Sequence, residues 1–363
     1  RSAGAATAHR PMRMHGSQGM RRPPPTLTHN RCIPADAGIQ LSTRHCRQPL
    51  DPGVRRDDDK VISMFFRNLT LFRFPTTLDL ADLESHLAEC ALKPVGPLEL
   101  SSRGFVPPMG QHGDALSHAI APSTWVTVGG EDKLLPGAVV NDLLQKKLAA
   151  IEDKEGRKPG GRTRKRLKDE LVMELLPRAF VRPVRTDALL DGGLGVLAVD
   201  TSSRKSAEAV VSEVRRALGS FPALPLNAEV APRAILTGWV AGDALPDGLS
   251  LGDECELRDP ADTGAVVKVQ RMELSGEEIA KHLEAGKQVT RLALVLDDHV
   301  SFVVGEDLVV RKFKLLDGAV DQLESSDRED VAAELDARFA LMAGEFKRLF
   351  AVLEQAFKLS KAD

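Results

Sequence analysis

In MFFRNLTLFRF (64–74) the apolar positions crowd too closely for one helical face, and Phe66, Leu69, Leu71 and Phe72 read as a buried strand. The pattern then changes period. LDLADLESHLAECAL places Leu80, Leu83, Leu87 and Leu92 at helical spacing, while RGFVPPMGQHGD (103–114) is a Pro/Gly-rich connection. ALSHAI and TWVTVGG follow as two short strands. Next comes a helix over LLPGAVVNDLLQKKLAAIEDKEG, with Pro136 suited to its first turn and Val139, Leu143, Leu144, Leu148 and Ile151 on one stripe. Gly156 and Pro159–Gly161 stop it, and RTRKRLKDELVMELL resumes as a second helix up to Pro177. Two helices across such a turn make an αα-hairpin.

Beyond this pair, GGLGVLAVD reads as a turn and strand, and SSRKSAEAVVSEVRRALG as a helix closed by Gly219. Pro222 and Pro225 suggest a boundary. ECELRD and GAVVKVQRMEL predict strands, and SGEEIAKHLEAG a helix opened by a capping box of Ser275 and Glu278. QVTRLALVL, HVSFVVG and DLVVRKFKLL predict a β-meander with turns near Asp297–Asp298 and Gly305–Asp307. A long helix from about Asp327 carries Leu335, Phe339, Met342, Phe346 and Leu349 at threes and fours, a core stripe. The class is α+β.

Charge alters this picture at one place. The 363 residues sum to −3, but residues 1–63 hold eleven Lys/Arg against five Asp/Glu, so the other 300 carry −9. That first segment is rich in Pro, Gly and Arg and lacks periodicity; it is expected to be a disordered or non-native leader, the domain beginning at Met64. An acidic body repels polyanions on average, so any contact with one needs a local patch. Between Lys154 and Lys168 stand eight Lys/Arg and one acid, Glu155, with Lys158, Arg162, Arg164, Lys165, Arg166 and Lys168 at the helix turn and on the second helix. Cations there oppose the helix dipole by about 0.3–1 kcal/mol each. An anionic partner compensates for that; a solvated charged loop is the plainer alternative.

Catalytic patterns are missing. No GxxxxGK[ST], HExxH, GxSxG or kinase set occurs. Gly193–Ala198 matches GxGxxA, but the glycines precede a strand, so a hairpin turn is expected. His112, Asp114 and His118 lack a metal-ligand spacing, and no metal or cofactor is expected. Acids at Glu277–Glu278, and at Asp327, Glu329 and Asp330, suit first helical turns. Cys32, Cys46, Cys90 and Cys255 are scattered, which fits a reducing, cytoplasmic setting. No apolar run approaches the ~20 residues that cross a bilayer, and no membrane role is expected. Lys268 and Arg271, and Arg291, Arg311, Lys312 and Lys314 on the meander, are expected to be mostly ordinary solvent-facing charges.

GFVPPMG (104–110), GDALSH (113–118), LKDELVMELLPRAF (167–180), LGSFPALPL (218–226), EEIAKHLEAGKQVTRLAL (277–294) and DREDVAAELDARFALMAGEF (327–346) together resemble the RdgC family of bacterial recombination-associated proteins, across essentially all of 64–363. The resemblance implies a ring-shaped homodimer that encircles DNA, duplex preferred with single strands left open, and that restrains RecA-promoted strand exchange without being an enzyme. It implies a nucleoid-associated protein in the cytoplasm. Its protomer would divide into a central α+β domain (64–132 plus 179–226), a helical tip (133–178) and a base domain (227–363) with the meander and long helix. Phe180 falls in the family's ring-closing region. A family Lys-Gln pair linked to DNA contact is matched by Arg271-Met272, with Gln270 just before, so Lys268, Gln270 and Arg271 join the tip cations as DNA-binding candidates. Two other readings stay open: a module docking an acidic recombination partner through the basic hairpin, and an unrecognised nuclease or nucleotide-dependent enzyme.

Overall fold

Alternation along short strands decides how the layers stack. The computed structural model describes residues 66–262, 264–316 and 331–361, all within the unit Asp58–Asp363. The leader and the acids Asp327, Glu329 and Asp330 lie outside the described residues. The first antiparallel sheet contains β1 (Thr70–Arg73), β2 (Ser101–Val106), β3 (Ser117–Ile120), β4 (Ser123–Leu134), β5 (Phe180–Asp191), β6 (Val196–Val199) and β7 (Leu224–Pro225). Its order is β2-β4-β5-β6-β1-β7, with β3 also on β4. Neighbouring residues divide between its faces: Leu71, Leu189, Val196 and Ala198 join one apolar cluster, Phe72, Leu190, Leu197 and Val199 the other.

One face is covered by α1 (Leu83–Glu89) and α4 (Arg204–Leu218). Helix α4 forms because Ala207, Val210, Val211, Val214 and Ala217 recur on one buried face, and Ser203 caps it by accepting from the Ser206 amide at 3.3 Å. The opposite face meets α7 (Val331–Phe357), whose Phe339 stacks on Trp125 with ring centroids 5.9 Å apart. The same helix also packs on α5 (Pro232–Ala241), where Phe357 meets Trp239 edge-on at 5.6 Å. α7 therefore carries the expected core stripe, buried between two layers.

The second layer is a five-stranded antiparallel sheet of β8 (Leu249–Arg258), β9 (Val266–Gln270), β10 (Gln288–Leu296), β11 (Val300–Gly305) and β12 (Val310–Leu315), ordered β12-β11-β10-β8-β9. The predicted meander is β10–β12, turned at Asp297–Asp298, both with positive φ. Chain entering the first sheet closes the β12 edge: Leu69 exchanges backbone hydrogen bonds with Val310 at 2.8 and 3.0 Å. β9 forms the other edge, and α6 (Glu277–Glu284) follows it.

Four local expectations change. Arg103–Val106 is not connection but the end of β2, held by β4 over its whole length. Ser275 and Glu278 make no capping box: Gly276 is the N-cap of α6, and the Ser275 hydroxyl donates to Glu273 at 2.7 Å instead. Pro136 precedes α2 (Gly137–Glu155) as its N-cap rather than lying in its first turn. On the predicted stripe of that helix, Val139 is exposed and Leu143, Leu148 and Ile151 are half-buried; Val140 and Leu144 are the buried positions. The reason is that α2 has little to lie against besides α3 (Gly161–Leu175). Val140, Leu144, Leu171 and Leu176 are buried, yet none belongs to either main cluster. The glycines at 192–195 form the expected turn between β5 and β6. Gly195 has φ +64, and a Cβ there would lie 2.4 Å from the Phe74 carbonyl oxygen.

Candidate nucleic-acid interface

The basic run divides between a turn and a helix end. α2 closes on Gly156 at φ +67, Lys158 lies in the exposed connection, and α3 begins after Gly160. That N-terminus has no side-chain cap and no acid in its first turn. Arg162, Arg164, Lys165, Arg166 and Lys168 are all exposed on α3. Arg166 meets Glu170 at 3.4 Å, an exposed i,i+4 pair worth little. Arg162, Arg164, Lys165 and Lys168 make no ion pair with a described residue. Their charge is therefore open to a ligand.

Both helices leave from one rung. β4 and β5 pair from Ser123↔Asp191 to Leu134↔Phe180, and residues 135–179 are inserted at that last rung. Phe180 is 83% exposed, and Leu134 opposite it and Val181 beside it are exposed too. The ring-closure candidate is thus an apolar side chain in solvent, next to two others.

Lys268 and Gln270, on alternate positions of β9, share an outward face while Val269 between them is buried. Arg271 lies past the strand with φ +57, so strand alternation does not place it; its exposed side chain borders a separate groove with Leu251, Asp253, Met272 and Leu274. Register brings further cations beside Lys268. Cross-strand partners run Lys268–Glu256–Arg291 over β9, β8 and β10, while Arg311 sits opposite Val303 on β12. Lys268, Gln270, Arg291, Arg311 and Lys312 line a cavity of about 140 Å³ together with Glu254 and Glu256. Three cations expected to be scattered solvent charges, Arg291, Arg311 and Lys312, are thus gathered at one place. Lys314 stands opposite Ser301, outside the cavity lining.

The cavity is not uniformly positive. Glu256, 7% exposed, meets Arg258 at 2.9 Å, Arg291 at 3.6 Å and Lys268 at 3.8 Å. Burial opposes its ionisation, but the Arg258 hydrogen bond and the Arg291 and Arg258 charges outweigh this and hold the carboxyl below its usual range. Glu254 accepts from Lys312 Nζ at 2.6 and 2.8 Å. Burial, with the Glu254 charge beside it, pushes the Cys255 thiol up to about 11, so this cavity residue stays a neutral thiol. The α3 cations and the cavity cations belong to different elements, one in the β4–β5 insert and one on the second sheet.

Among the described residues no group of three or more His, Cys, Asp or Glu is arranged to hold a metal ion. His118, weighed as a ligand with His112 and Asp114, lies with its Nε2 2.9 Å from the Asp336 carboxylate of α7 and packs edge-on against Trp125 and Phe339. No helix of the described residues is long and apolar enough to cross a membrane.

A family model described as "Putative exonuclease, RdgC" matches residues 64–360. Proteins named recombination-associated protein RdgC align over 301 residues, 83% of this chain and 100% of each relative. That of Xanthomonas campestris pv. campestris (strain B100) is 68% identical. Those of Xanthomonas oryzae pv. oryzae (strain MAFF 311018) and Stenotrophomonas maltophilia (strain R551-3) are 67% and 63% identical.

Proposed function

The chain belongs to the RdgC family, and from that premise we propose that it binds duplex DNA without reading sequence and acts in recombination by occupying the duplex. In this reading two copies form a ring around the DNA, with residues 133–178 as the tip and 227–363 as the base. Occupancy limits RecA's access or strand exchange, and the protein works at the nucleoid in the cytoplasm. Exposed apolar Phe180, Leu134 and Val181 suit closure between copies.

The observation that carries the reading is the N-terminal half of α3. A helix end without a cap or a first-turn acid presents cations that no described residue pairs, on a body of net −9. Phosphate oxygens need only cationic donors along a path, and such contacts position a duplex without reading its bases. The cavity cations on the second sheet add a second set of donors.

A salt titration of purified protein on random-sequence duplex tests this. If about 6–10 phosphates are neutralised, affinity falls by roughly 10³–10⁵ between 50 and 200 mM salt. Weak binding that is insensitive to salt would instead favour a module docking an acidic protein through α3. The family model's description as a putative exonuclease names a third outcome, so the duplex is end-labelled and divalent metal is included in one arm. Release of nucleotides there would replace occupancy by turnover.

A further inference from the structure

Each β9 candidate faces a carboxylate. Lys268 is the register partner of Glu256, and Gln270 that of Glu254. Glu256 is the more confined of the two. It lies within β8, between β9 and β10 neighbours, and Thr290 Oγ1 donates to its carboxylate at 3.3 Å. Three cations, Arg258, Lys268 and Arg291, converge on it from its own strand and both flanking ones. A carboxylate so placed has two effects. It relieves repulsion among the cations, and it subtracts one charge from the field an arriving phosphate meets. Being fixed in the sheet, it cannot withdraw when the phosphate binds.

We propose that Glu256, assisted by Glu254, sets the grip of this sheet face on phosphate, keeping it weaker than its cations alone would make it. The inference rests on the DNA-binding reading and goes beyond it by separating two kinds of contact. On α3 one candidate cation, Arg166, meets an exposed carboxylate, that of Glu170, and the other four make no ion pair with a described residue, whereas those of the sheet share their charge with confined resident acids. The face is therefore a tempered contact, readily released, rather than an anchor.

The test uses the full chain with Glu256→Gln, Glu254→Gln and, as a control of equal charge change, Glu208→Gln. Glu208 lies on α4 and pairs with Arg204 at 3.2 Å, on the helix layer of the other sheet. Random-sequence duplex is titrated by fluorescence anisotropy from 50 to 300 mM salt, with a thermal melt of each protein. One charge removed some 6–7 Å from a phosphate, at a dielectric between surface and bulk water, should tighten binding on the order of 3- to 10-fold. That gain is expected for Glu256→Gln and Glu254→Gln, largest at low salt, and not for Glu208→Gln. Should Glu256→Gln fold poorly, Glu254→Gln carries the comparison, because its carboxylate is less confined. Unchanged or weaker binding by a variant that melts normally overturns the inference, as does an equal gain in all three proteins. Wild-type protein without salt-sensitive binding would overturn the DNA-binding reading, and this inference with it.

Discussion

Replacing Arg162, Arg164, Lys165 and Arg166 together by Gln should move folding and binding in opposite directions. Arg162 and Arg164 occupy the second and fourth positions of α3, on an end with no cap and no acid. Each exposed cation there costs about 0.3–1 kcal/mol against the dipole. Gln has nearly the helix propensity of Arg. The exposed Arg166–Glu170 pair that is lost returns only about 0.3–0.5 kcal/mol. The variant should thus be as stable as wild type, or up to about 1.5 kcal/mol more stable, in a urea melt. If each cation meets one phosphate, the slope of log affinity against log salt falls by about 3.6, from roughly 0.9 per contact. Over the fourfold rise from 50 to 200 mM salt, this makes the variant's loss of affinity about 10² smaller, from a lower starting affinity. Parallel melts and anisotropy titrations read both effects. An unchanged salt slope would remove α3 from the interface, and a marked loss of stability would refute the argument about its uncapped end.

Phe180→Ala should leave folding within about 0.5 kcal/mol, as expected for a surface side chain, while shifting the proposed dimer towards monomer in analytical ultracentrifugation. An unaltered mass distribution would count against closure at this residue. Asp200 tests a half-buried charge: desolvation pushes its carboxyl above the ordinary 3.8, despite amide hydrogen bonds from Asn68 and Arg67 at 2.9 Å. A carboxyl with a raised folded-state pKa favours folding most below the unfolded value and loses that contribution as pH rises through the folded one. Asp200→Asn keeps the acceptor without the charge, so it should match or exceed wild-type stability at pH 7 and lose that margin near pH 3.5. A variant clearly less stable than wild type at pH 7 would contradict this.

Legibility in the sequence followed the physics of each element. The meander was readable because LALVL, FVV and VVRKF are apolar and β-branched between Asp and Gly turns. α4 was readable because its buried positions recur at threes and fours. β5 was not: FVRPVRTD is rich in charge and contains Pro183. It pairs with β4 throughout, but β6 joins it only from Ala188 onward, so Pro183 lies where one side of the strand has no partner. α5 was not legible because PRAILTGWVA is short, mostly apolar and contains a helix-weakening glycine, Gly238. At the candidate interface, charge density alone revealed the α3 cations. The cavity did not show itself, because alternation assigns faces within one strand and cannot say that Lys268, Glu256 and Arg291 will become neighbours. The positive φ that frees Arg271 from its strand was equally invisible.

The shared rung at Leu134 and Phe180 makes the two-helix segment a cassette. Its buried residues lie outside both main clusters, and its entry and exit points adjoin. Its length can therefore change by whole helical turns without shifting a single strand partnership beneath it, so the reach of the basic end and the integrity of the body can vary independently.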